Sequence, residues 1–163
     1  MLNQDDKKKV LFVCLGNICR SPAAQGIMQT IVDEAGESCG WLIDSAGCGN
    51  YHTGDLPDHR MRLHARRRGL ELTHRARQVR ETDFDDFDMI IGMDDANVSH
   101  LRTLAPTPEA EAKVHAMSEF FDRSARYDYV PDPYYEGAEG FELVLDLLMD
   151  GCRNLYNKIS EKK

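Results

Sequence analysis

The sequence predicts one doubly wound α/β domain, a parallel sheet with helices on both faces. Three observations predict it. Apolar runs of strand length alternate with segments of helical periodicity along the chain, the pattern of repeated βαβ units. The stretches between successive strands are too long for hairpins. The 163 residues suit a single domain, and no repeat, linker or boundary divides them. In such a fold the ligand site is expected at the carboxyl ends of the strands.

The elements follow in order. Val10 to Cys14 is a short apolar run rich in strand formers, as in a strand buried on both faces. Ser21-Pro22 reads as a helix start, with Pro near the first helical position. Ala24, Ile27, Met28, Ile31, Val32 and Ala35 then form one apolar stripe, and Gly36 stops it. Trp41 to Ala46 is the second strand, followed by a loop with Gly47, Gly49 and Gly54. A second helix is expected from Pro57 or Asp58 to Arg68, ended by Gly69. Asp88 to Met93 is the third strand, and Asp94 caps a helix that runs through Leu104. Val114 to Met117 is a weaker strand. The last helix carries Phe141, Val144, Leu148, Cys152, Leu155 and Ile159 on its core face.

Composition narrows the function classes. With 42% hydrophobic and 29% charged residues the chain is neither disordered nor of low complexity. The longest apolar run, Val10 to Leu15, is far short of the roughly 20 residues of a membrane span. No long apolar stretch follows the lysines near the N-terminus, so a cytoplasmic location is expected. The net charge of −8 disfavours nucleic acid as the main partner. The charge is nonetheless uneven: residues 60–80 hold eight Arg and one Glu, and residues 81–95 hold seven acids and no base. The economical account is a basic face beside an acidic one. Five scattered cysteines without a Cys-x-x-Cys pair point to free thiols, with neither a disulfide scaffold nor a metal site.

The chemistry lies in Cys14-Leu-Gly-Asn-Ile-Cys-Arg20-Ser21. A Cys-x5-Arg match alone carries little weight, since about 0.4 are expected by chance at this composition. Its setting is what matters. It falls between a strand and a helix start, where backbone N–H groups and the helix dipole form an anion cradle. Gly16 permits backbone conformations closed to other residues. Arg20 offers a planar fork for two phosphate oxygens. Cys14, beside Arg20 and those N–H groups, is expected to ionise readily and act as a nucleophile.

Val13 to Ala24 resembles the signature loop of the low-molecular-weight protein tyrosine phosphatases. Asp132-Pro-Tyr-Tyr135 resembles that family's general-acid motif, in the right chain order and at the right separation. Tyr51-His-Thr-Gly54 and Met93-Asp-Asp-Ala-Asn97 also agree, and the likeness runs from about Lys8 to Tyr156. The resemblance implies a four-stranded parallel sheet flanked by helices. It implies Cys14 as nucleophile, Arg20 as transition-state clamp and Asp132 as general acid, with no metal or cofactor. Leu15, Gly16, Asn17, Ile18, Cys19 and Ser21 would form the phosphate loop, and Ser21 would donate to the thiolate. Tyr51 and Tyr134 would line the slot for the substrate ring. Asn17, Ser45 and His74 would hold the loop, and Asp94 and Tyr135 would support the site. Cys19 matches the family's second loop cysteine, which can trap an oxidised nucleophile as a disulfide. Cys39, Cys48 and Cys152 match no motif and read as packing residues.

The expected activity is hydrolysis of phosphotyrosine in proteins through a phosphocysteine intermediate. Expected partners are tyrosine-phosphorylated proteins, with inorganic phosphate as product, no nucleic acid, no membrane insertion and a monomeric state. Arsenate reductases share the fold and loop but need a further cysteine pair about 70–80 residues beyond the nucleophile, and Asn50 to Gly151 holds no cysteine. Protein arginine phosphatases carry Thr where Ile18 stands, and a branched apolar side chain suits an aromatic ring better than a guanidinium. A non-catalytic phosphate-binding module is the reading from another class, and it tends to lack the nucleophile or the acid.

Overall fold

The computed structural model describes residues 6–123, 125–134 and 137–161. Four strands form one parallel sheet: β1 Lys8–Cys14, β2 Trp41–Gly47, β3 Met89–Gly92 and β4 Val114–Ala116. Their order is β2-β1-β3-β4, with every neighbouring pair parallel. The connection from β1 leads outward to β2 on one side, and the chain then returns past β1 to β3. The strand order therefore reverses at β1, and the loop after Cys14 opens at that switch point.

Among the described residues six α-helices complete the layers: α1 Arg20–Glu34, α2 His59–Arg66, α3 Asp83–Asp86, α4 Asp95–Leu104, α5 Pro108–Glu111 and α6 Ala138–Glu161. Alternation along β1 divides the core. Val10, Phe12 and Cys14 pack with residues of α1, α2 and α6, including Met28, Met61, Phe141 and Leu148. Leu11 and Val13 point the other way, into a cluster with Phe84, Val98, Leu101 and Ala110. Each fully buried side chain of this size contributes on the order of 1.5–3 kcal/mol relative to exposure. Among the described residues no helix is long and apolar enough to cross a membrane.

Local chemistry accounts for the boundaries. Asp58 caps α2 by accepting from Arg60 N–H at 2.8 Å, and Asp94 caps α4 by accepting from Asn97 N–H at 2.9 Å. Gly36 and Gly69 follow α1 and α2 with φ of 73° and 83°, the left-handed conformation that ends a helix. The expected second helix stops at Arg66 rather than Arg68, where its last turn tightens: Arg68 N–H bonds to Ala65 O. The fourth strand ends at Ala116, because Met117–Phe120 turns into a 3-10 helix. The one-turn helices α3 and α5 are too short to show a periodicity, although Thr107 before Pro108 is a cap signal that could have located α5.

Several arginines of the basic cluster have carboxylate partners. Arg60 pairs with Asp58, Arg66 with Glu71, and Arg68 with Glu142 and Asp146. The Arg77 side chain reaches into the acidic stretch, to Asp83, while also holding Asp44, and Arg80 N–H donates to the same Asp83 at 2.9 Å. Four arginines of the cluster are thus paired with carboxylates of different segments.

Candidate active site

Residues 15–19 leave the end of β1 and curl back over the end of β2 before α1 begins. The carbonyls of Cys14, Leu15, Ile18 and Cys19 accept from the N–H groups of Cys48, Gly49, Asp58 and Ala23. With its carbonyls tied outward, the loop turns its donors the other way. The backbone N–H groups from Leu15 to Arg20 have no acceptor among the described residues. Gly47 makes the crossing possible. A Cβ there would stand 3.0 Å from Leu15 O and 3.1 Å from Asn17 N, closer than real side chains approach backbone.

Asn17 has φ 59°, a left-handed backbone that Asn tolerates better than most residues. Its side chain is buried and fully used. Oδ1 accepts from Arg77 N–H at 3.0 Å and from His74 Nε2 at 2.9 Å. Nδ2 donates to Ser21 Oγ at 2.8 Å and to Ser45 Oγ at 3.0 Å. Ser45 Oγ–H in turn donates to Gln25 Oε1 at 2.6 Å. Ser21 Oγ is also 3.0 Å from Cys14 Sγ. One amide thus joins residues from the loop, α1, β2 and the segment before α3.

Arg20, only 2% exposed, is held from the far side of the sheet. Its Nη1 donates to Asp94 Oδ2 at 2.7 Å and to Val130 O at 3.0 Å. Burial works against its charge, and the neighbouring Cys14, Asp94 and Asp132 outweigh that, holding the guanidinium above its ordinary value. Asp94 therefore caps α4 with one oxygen and grips Arg20 with the other. Val130 N–H bonds to Met93 O at 2.8 Å, so residue 130 is pinned between β3 and Arg20. This brings Asp132 over the loop, with Oδ2 at 3.7 Å from Arg20 Nη2 and Oδ1 accepting from Tyr134 N–H at 3.0 Å.

These parts enclose a cleft of about 320 Å³ lined by Cys14, the loop residues Leu15, Gly16, Ile18 and Cys19, and Arg20, Tyr51, His52, Asp132 and Tyr134. Tyr51 and Tyr134 stand exposed at its mouth. The Arg60 guanidinium lies 5.3 Å from the Tyr134 ring centre and 4.9 Å from that of Phe141, which ties the wall to α6. Burial, with Asp58 nearby, pushes the Cys19 thiol up. Burial first, then Cys14, pushes Cys48 up to about 12. Ser45 and His74 lie behind the loop rather than in the cleft. Tyr135 falls outside the described residues.

Sequence reasoning did not find His52, Val130 or Arg77. His52 follows Tyr51 directly and could have been inferred from that neighbour. Val130 acts through its carbonyl, which no residue type signals. Arg77 acts through its backbone N–H toward Asn17 and its carbonyl toward Gly47 N at 2.8 Å. Its side chain anchors that crossing to Asp83 and Asp44.

Comparison with known proteins follows the same lines. The sequence profile of the family described as low molecular weight phosphotyrosine protein phosphatase matches residues 9–163. The low molecular weight protein-tyrosine-phosphatase YfkJ of Bacillus subtilis is 41% identical over 155 residues, covering 94% of this chain and 97% of its own. A crystal structure of a protein tyrosine phosphatase from Entamoeba histolytica superposes with a TM-score of 0.91 at 40% identity, covering 95% of this chain and 98% of that one. The structure of a drosophila arginine phosphatase superposes with a TM-score of 0.88 at 30% identity, over 95% of this chain and 99% of its own.

Proposed function

Since the chain belongs to the low molecular weight phosphotyrosine protein phosphatase family, we propose that it hydrolyses phosphotyrosine in proteins through a phosphocysteine formed on Cys14, with Asp132 as acid and then base. The observation that carries this reading is the row of N–H donors from Leu15 to Arg20, without an acceptor among the described residues, curled beside Cys14 and closed by the Arg20 fork. Donors fixed in place before substrate arrives suit the three equatorial oxygens of a transferring phosphoryl group.

In the first step the Cys14 thiolate attacks phosphorus in line with the phenolic oxygen. The S–P bond forms, the P–O bond to the ring breaks, and Asp132 gives its proton to the departing oxygen. Ser21 steadies sulfur with a hydrogen bond. In the second step water attacks phosphorus, its proton goes to the Asp132 carboxylate, and the S–P bond breaks. Inorganic phosphate leaves and both groups return to their starting states. The loop donors and Arg20 supply the charge compensation throughout.

The walls speak for the substrate class. Ile18, Leu15, Tyr51 and Tyr134 give the cleft apolar sides, which suit a flat ring. Against these four side chains a guanidinium's outer N–H groups find less than a phenyl ring does, and this favours phosphotyrosine over phosphoarginine. The presence of Cys14 and Asp132 in one cleft favours turnover over mere phosphate binding. The test is Cys14→Ser assayed with phosphotyrosine peptide and with a simple aryl phosphate. Turnover is expected to vanish with both substrates while vanadate or phosphate binding persists, because the cradle is mostly backbone. Full activity would remove Cys14 from the mechanism.

A further inference from the structure

A second concave site lies at the other end of the sheet. Lys8 and Cys14 stand at opposite ends of the seven-residue β1, six strand steps apart, which places the groove about 20 Å from the thiol. The groove encloses about 330 Å³ between the starts of β1 and β3, the turn after β4, and the last turns of α6. That volume is at the lower end of small-molecule sites, which run from about 300 to 1,000 Å³. Its floor is apolar, made by Val10, Met89, Phe120 and Ile159.

Its rim carries charge of one predominant sign. Lys8, Lys9 and Lys158 line it, against Asp88 as the one carboxylate among the described lining residues. Asp88 is already engaged, accepting from Lys9 N–H at 3.1 Å. His115, also in the lining, is turned to Glu119 at 3.2 Å. The arrangement runs against the composition, because the chain has 28 acids and 20 basic residues. Yet neither the Lys8 nor the Lys158 ammonium has a carboxylate within ion-pair distance among the described residues. Each instead lies over a ring: Lys8 Nζ is 5.3 Å from the centre of Trp41, and Lys158 Nζ is 5.4 Å from that of Phe120. Two ammoniums with no carboxylate at ion-pair distance among the described residues, each over an aromatic ring beside an apolar floor, form a receptor for a molecule with one anionic group and a flat or aliphatic body.

We propose that this groove binds a small amphipathic organic anion, its sulfonate, carboxylate or phosphate between Lys8 and Lys158 and its apolar body on Met89 and Phe120. The binding does not depend on Cys14 or on the phosphatase reading. It differs from the active-site cleft in kind, since affinity here comes from apolar contact together with ammonium groups, with no row of backbone donors.

The test uses the intact protein and 8-anilinonaphthalene-1-sulfonate as probe, with the single Trp41 as energy donor under Lys8. The expected result is one saturable site with quenching of Trp41 emission, unaffected by vanadate in the Cys14 cleft and not displaced by equimolar sulfate. The double variant Lys8→Gln/Lys158→Gln should bind about five- to tenfold more weakly, with much of the salt dependence gone. Lys8→Arg/Lys158→Arg should restore binding. Aryl phosphate turnover should be unchanged in both, which reports that the fold is intact, and Lys158→Gln alone serves if the double variant is not folded. Absence of a saturable site, equal affinity in the Gln variants, displacement by vanadate, or displacement by sulfate would each overturn the proposal.

Discussion

Ser21 Oγ lies 3.0 Å from Cys14 Sγ, and Asn17 decides which way the bond between them runs. Arg77 N–H can only donate, so the Asn17 atom it meets at 3.0 Å must be oxygen. His74 Nε2 must then donate as well, and the two N–H groups of Asn17 Nδ2 must donate to Ser21 and Ser45. Ser21 Oγ is thereby an acceptor toward Asn17, and its own proton is available to sulfur, with Ala46 O at 3.3 Å as the weaker competitor.

Ser21→Ala should therefore cost the thiolate a hydrogen bond to a charged group, about 1.5–3 kcal/mol. Stopped-flow measurement of phosphocysteine formation is expected to show a loss of roughly ten- to a hundredfold, and Ser21→Thr should recover part of it. An unchanged rate in the Ala variant would mean that Ser21 serves Ala46 O instead.

For Asp132→Asn the prediction concerns leaving groups. Phenolate from phosphotyrosine needs a proton, whereas a dinitrophenolate scarcely does. The phosphorylation step should fall by about 10²–10⁴-fold on phosphotyrosine and much less on the dinitrophenyl ester, as read from burst kinetics. Equal losses on both would show that Asp132 is not the acid, and Asp94 would be next to test.

Ile18→Thr should weaken the preference for phosphotyrosine over phosphoarginine by offering the guanidinium a polar partner. The expected change in relative kcat/KM is on the order of 1–3 kcal/mol, the worth of one pocket contact. No change would place ring selection in Tyr51 and Tyr134.

His74 links the loop to pH. Burial, and then Arg77 against the opposing pull of Asp44, holds its imidazole below the ordinary value near 6.5. The folded protein then binds that proton less readily than the unfolded chain. His74 contributes stability in full above about pH 6.5, and this is lost as pH falls through the lowered folded value. Urea midpoints measured from pH 8 down to 5 should decline below about 6.5 in the native protein. His74→Gln, which keeps a donor for Asn17 Oδ1, should show a shallower decline. Identical slopes would assign the acid sensitivity to other groups.

Much of this protein is legible in its residues alone. Apolar runs and helical stripes declare four strands and the long helices, because burial of one face is a local and periodic demand. Asp58, Asp94 and Gly69 mark helix ends, because capping is satisfied within a few residues. Cys14 to Arg20 declares a phosphate loop for the same reason, its reacting parts being close in sequence. Tertiary structure alone decided the rest. The left-handed Asn17 is held by Ser45, His74 and Arg77, which come from separate elements. Arg20 is aimed by Asp94 and by the carbonyl of Val130, and a backbone atom leaves no mark in a sequence. The arginines of residues 60–80 are neighbours in the chain, and only the packed structure decides which carboxylate each of Arg60, Arg66, Arg68 and Arg77 meets. Local free energies of turns, caps and stripes can be read in order along the chain. The site depends on which distant residues the sheet order brings within hydrogen-bond distance, and that is set only when the layers pack.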